Sequence, residues 1–168
     1  MVFQGHKRQQ LSNSFLQNLS YICVVQIPTT MNNNPQNPEF IFASQADQCL
    51  QTMKIRAEQM HIQGVGLVAY YNSKTANWTS KMVVMGALKN ETVNFLSVAY
   101  SKAGEMIDTF QNSGTTARVP LLGEFNFKGG VISKVQENYV LVVFSGASGE
   151  EDTIVAQHGL DFLLSTLT

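Results

Sequence analysis

The chain has 168 residues, enough for one domain with or without a tail. Hydrophobic residues make up 44%, but charged residues reach only 14%, against about 25% in typical globular chains. Eleven Lys+Arg against 12 Asp+Glu give a net charge of −1. No basic field exists to hold nucleic acid, and no apolar run is long enough for a membrane helix.

Residues 1–38 carry Lys7 and Arg8, no acid, and 12 of the chain's 27 Asn and Gln. Tyr21–Ile27 is a short apolar patch behind a weakly basic start. It resembles a signal peptide in outline, but it is short and no Ala-x-Ala site follows, so a cytoplasmic location is expected. Met31–Pro38 is polar and proline-punctuated, which reads as a linker. These features predict an extension over 1–38, with Met31 as an alternative start, and a folded domain over 39–168.

Ser44 and Asp47 have the spacing of a helix N-cap with an acidic third position. Ala46, Cys49, Leu50, Met53, Ala57 and Met60 then recur every three or four residues up to Gly64, which predicts an amphipathic helix. Val65–Tyr71 is rich in residues that suit a strand. Asn72-Ser-Lys-Thr is a turn, and 77–85 is the returning strand of a hairpin. A second helix is expected over 91–112, with Val93, Leu96, Ala99, Tyr100, Ala103, Met106, Ile107 and Phe110 along one side. Gly114 then serves as its terminating glycine. After a glycine- and proline-bearing loop, 131–135 and 139–145 form a second hairpin. The last helix starts behind Ser148, whose capping-box partner is Glu151, and Glu150, Glu151 and Asp152 suit its N-terminal dipole. Hairpin connections call for a mainly antiparallel sheet with helices packed on it.

Few residues carry chemistry. Two cysteines, Cys23 and Cys49, make no disulfide framework. Without CxxC spacing, and with His6, His61 and His158 scattered, no structural zinc site is expected. Ser145–Gly149 opens a helix directly from a strand, which frees backbone N–H groups for an anion. Yet the acids at 150–152 occupy that same positive end, and neither a Walker loop nor a dinucleotide fingerprint is present. Lys102 lies beside the second helix's apolar stripe. Its side chain either snorkels to solvent or reaches an anionic group, such as a propionate, in a pocket. His61, at the end of the first helix, and His158 each carry a ring nitrogen able to take a metal, but each stands alone. Ser145 or Ser148 with His158 and Asp152 has the residue types of a triad without a nucleophile elbow. The acids sit at helix starts and caps, so no acid–base pair argues for an enzyme.

Several of these segments together resemble one family. Gly129-Gly130-Val-Ile before a hairpin, then Val142-Val-Phe-Ser-Gly-Ala147, Glu151-Asp152 and Val155-Ala156, resemble the C-terminal half of the GlcG/HbpS-like haem-binding family. Ala99-Tyr-Ser-Lys-Ala103 is similar to its Ala-x-x-Lys-Ala helix motif. The likeness spans about residues 43–166. It implies a profilin-like α/β fold of the α+β type, with a mainly antiparallel sheet of about five strands flanked by helices. It also implies a homo-oligomer, dimer or larger, that binds haem or a related tetrapyrrole or small ligand. Carried over by position, Lys102 is the basic residue near the ligand, and Gly129, Gly130, Ser145 and Gly146 shape the pocket wall; His61 completes the candidate cofactor-binding set. The sequence departs from the family at Asn72-Ser-Lys-Thr, at Ser80–Gly86 and at Val131. An alternative expectation is therefore an assembly module of the same fold that has lost its ligand.

Overall fold

The computed structural model describes residues 37–167. The extension expected over 1–38, including Cys23 and His6, lies outside these residues except for its last two positions. Those two belong to the fold. Helix α1 spans Pro38–Gln59, with Asn37 as N-cap and its side chain accepting a hydrogen bond from Glu39 N. Pro38 sits where a proline's missing N–H costs nothing and its fixed φ suits the helix. The helix therefore starts one and a half turns before Ser44, whose hydroxyl donates instead to Ile41 O within it. The gain from the earlier start is visible at Phe42, which is buried and packs 5.7 Å from the Tyr70 ring.

Strands β1 (Gly64–Asn72) and β2 (Asn77–Met85) form the first hairpin, β3 (Gly130–Val135) and β4 (Asn138–Ser145) the second. Between them lies α2 (Phe95–Thr109), and α3 (Gly149–Leu167) follows β4. The described residues form one four-stranded sheet of order β2-β1-β4-β3, every pair antiparallel. The expected count of about five is corrected to four, because the loop between α2 and β3 adds no strand.

Helices cover both faces. Val68, Tyr70, Val140, Val142 and Phe144 meet α1 and α3 on one side, while Val65, Leu67, Ala69, Leu141 and Val143 meet α2 on the other. The alternation follows from the period of two along a strand. Because both faces are dry, β1 and β4 read as nearly continuous apolar runs. Helices α1 and α3 approach closely at Gly159, where a methyl group would lie 2.6 Å from Met53 Cγ. Next to it the Cys49 thiol, buried, hydrogen-bonds Gly159 O, and burial pushes its pKa up to about 12. A thiol so held stays protonated and inert. Met53 and Met106 are likewise core filler.

Helix α2 is shorter than expected at both ends. Asn90 Oδ1 accepts from Thr92 N and Val93 N, making a turn that precludes helix there, and Asn94 then caps the helix through Ser97 N. At the far end Phe110, not a glycine, takes the left-handed conformation, with φ of 52°. Val93, Tyr100 and Phe110 are exposed, so the core stripe is instead Phe95, Val98, Ala99, Ala103 and Met106. No helix of the described residues is long and apolar enough to cross a membrane.

Candidate functional site

Helix α2 carries a lysine on its buried stripe. Lys102 is 2% exposed, so its ammonium cannot reach water, and the snorkelling alternative is corrected. Its Nζ donates to Asp152 Oδ2 at 2.7 Å and to Phe144 O at 2.8 Å. Asp152 is the first residue of α3's own buried stripe, which continues through Val155, Ala156 and Gly159 at helical spacing. Its other oxygen accepts from Ala147 N at 2.9 Å, so one carboxylate ties α2, α3 and the turn after β4 together. Burial disfavours both charges: it pushes the Asp152 pKa up and the Lys102 pKa down, against their mutual attraction. Both groups are nonetheless paired, which offsets part of that cost.

The backbone is shaped around this pair. Gly129 has φ of 119°, and a methyl group there would lie 2.4 Å from Asp152 Cβ and 2.5 Å from Lys102 Nζ. Gly130 stands behind, donating its N–H to Ser113 Oγ and packing on Met106. At the turn, Gly146 passes so close to Gln63 O and Gly64 that no side chain could fit. Ser148 and Glu151 form the expected capping box, with Glu151 Oε2 taking both the N–H and the hydroxyl of Ser148.

Above the pair opens a cleft of about 430 Å³ between the start of α2, residues 126–128 and the turn into α3. Val93, Phe95, Val98 and Phe127 give it apolar walls, while Asn90 and Lys128 supply polar ones. That size and mixture suit a small molecule. A second depression, of about 440 Å³, adjoins it through shared walls at Asn90, Phe95 and Gly146, and includes His61 and Lys89.

Of the six residues singled out from the sequence, Lys102, Ser145 and Gly146 therefore meet at the main cleft. Gly129 touches Lys102 from behind, Gly130 is one step further back, and His61 belongs to the adjoining depression. Asp152, Lys128, Lys89 and Phe95 are additions. Asp152 had a signal in the sequence: of three successive acids it alone falls in phase with Val155, Ala156 and Gly159. His158 is exposed on α3, and Asp152 is bonded to Lys102, so the triad residue types are not brought together.

A solved structure shares this architecture. The crystal structure titled as a PduOC:heme complex matches with a TM-score of 0.52 and 15% sequence identity, over 70% of this chain and 91% of that one. The fold is profilin-like. No family model and no curated protein sequence matches the chain.

The cleft can be tested against a haem. Haem iron takes axial ligands from His, Met, Cys or Tyr, and none of these lines the main cleft. Among the described residues, no cluster of three His, Cys, Asp or Glu side chains could hold a metal ion. Lys102 offers no lone pair while it is bonded to Asp152. The cleft fits the apolar face and acidic edge of a tetrapyrrole, and does not fit its iron.

Proposed function

We propose that this protein binds a small amphipathic anion, with a haem or related tetrapyrrole as the leading candidate, and that it stands near the GlcG/HbpS-like haem-binding proteins. The observation carrying this reading is the cleft itself: apolar walls with a cation at the rim, built over a buried ion pair, on a fold also found in a haem complex. Lys102 then acts as the organiser that fixes Ser145–Gly149 through Asp152, and the ligand is contacted by Phe127, Phe95 and Lys128. Titrating the purified protein with hemin should give a saturable shift of its Soret band. Phe127→Ala should weaken binding about three- to tenfold, the worth of one lost aromatic contact. No saturable shift would overturn the reading.

A second reading, an assembly module, is favoured by one observation. Val119, Leu121, Leu122, Phe125 and Phe127 are all exposed within nine residues of the loop before β3. So dense an apolar run usually marks a surface meant to be covered. A second copy of the chain would bury it, which gives the low charge content a cause. Light scattering should then find a dimer or larger species at micromolar concentration, and Leu122→Lys should shift it towards monomer. A wild-type monomer would remove this reading.

A further inference from the structure

The main cleft and its neighbour are chemically one trough, since Asn90, Phe95 and Gly146 belong to both. Its charge runs against that of the fold. From Asn37 onward the chain has 12 acids and 9 bases, the 11 less Lys7 and Arg8. The trough walls hold Lys102, Lys128 and Lys89 against the single acid Asp152. Lys102 and Asp152 cancel, which leaves a lysine in each half. Lys128 reaches only Glu150, an exposed pair at 3.2 Å that water screens. Lys89 has no carboxylate within ion-pairing distance among the described residues. Asn90, Phe95 and Gly146 are the wall that the two halves share, and Val93 and Phe127 are the exposed apolar groups of the main cleft.

Two cations in adjoining halves of a partly apolar trough complement a flat hydrocarbon body with two acidic groups along one edge. We propose that the trough reads its ligand through two carboxylates, one at Lys128 and one at Lys89, with the ring face against Val93 and Phe127, and leaves any metal at the ligand's centre without a protein ligand. This rests on the tetrapyrrole reading above and adds to it what is recognised. His61 lines the same half as Lys89 and carries a ring nitrogen able to take a metal, so it is the group that could oppose this reading.

The test compares three probes by equilibrium titration of the full chain: hemin, metal-free protoporphyrin IX, and the dimethyl ester of protoporphyrin IX. Metal-free protoporphyrin should bind within about threefold of hemin. The ester, with both carboxylates capped, should bind at least about tenfold more weakly, as should protoporphyrin to Lys89→Gln or Lys128→Gln, each having lost a charge-assisted contact. Both lysines are exposed enough that their replacement leaves the fold intact, which circular dichroism would verify. If hemin binds while protoporphyrin does not, or if His61→Ala alters the hemin spectrum, iron is being ligated and the inference falls while the ligand reading stands. Equal binding of acid and ester also overturns it. If none of the probes binds, the ligand reading falls as well.

Discussion

Replacing Asp152 with alanine should lower the free energy of unfolding by about 3–5 kcal/mol, because it strands the Lys102 ammonium in a dry interior. Denaturant unfolding followed by circular dichroism measures this directly. Lys102→Ala should cost a similar amount through the orphaned carboxylate. The informative variant removes both: Lys102→Met with Asp152→Leu should recover most of the loss, since an apolar pair of similar volume avoids the desolvation cost. A double variant as unstable as either single one would show that the bond from Asp152 to Ala147 N, rather than the ion pair, is what matters. The pH dependence has a definite sign. Burial holds Asp152 above its ordinary 3.8, so the folded state binds more protons there and stability falls as pH rises through that window. Burial holds Lys102 below 10.5, so stability attributable to the pair climbs again as pH rises towards that value. The double variant should lose both slopes.

The second large effect belongs to Gly129. An alanine there must adopt a φ of 119°, a region L residues rarely enter, and its methyl must displace the ion pair it would touch. Backbone strain and overpacking together should cost about 2–4 kcal/mol. Gly123 is the control: it also has positive φ, of 97°, but open space surrounds it. Gly123→Ala should cost only the strain. If the two variants lose equal stability by thermal melting, contact with the ion pair contributes nothing and the close-packing account of Gly129 is wrong.

Much of the fold was legible because hydrophobic period and turn chemistry agreed. The strands 77–85 and 139–145 and the Ser148–Glu151 box could be read almost to the residue. The helix starts could not. Pro38 looked like the end of a linker because proline breaks elements more often than it opens them, and only the burial of Phe42 against Tyr70 reveals which role it has. Val93 continues the α2 stripe backward, but the side chains of Asn90 and Asn94 accept from backbone N–H groups and set the boundary locally. At the candidate site, Lys102, Ser145 and Gly146 were found from sequence, whereas the partner of Lys102 was not. A lysine fifty positions from its carboxylate leaves no local spacing to detect. The two stripes offered a hint, since α2 places Lys102 and Glu105, and α3 Asp152, among apolar residues, and a buried charge calls for a partner. Lys89 and Phe95 were missed for another reason: the tight turn that closes Lys89 on Asn94 and Phe95 N on Leu88 O stands where the periodicity continues the helix.

The bond between Lys102 and Asp152 also bears on how the sequence can change over generations. Each position alone is trapped, for any single exchange to an uncharged residue passes through a molecule with a bare charge inside it. Descendants of this chain should therefore keep both residues or exchange both, and aligned relatives should show the two columns switching in concert. Should a lineage hold an apolar residue at one position and a charge at the other, it must also have opened that spot to water, and the turn that shapes the cleft would be the first part to have drifted.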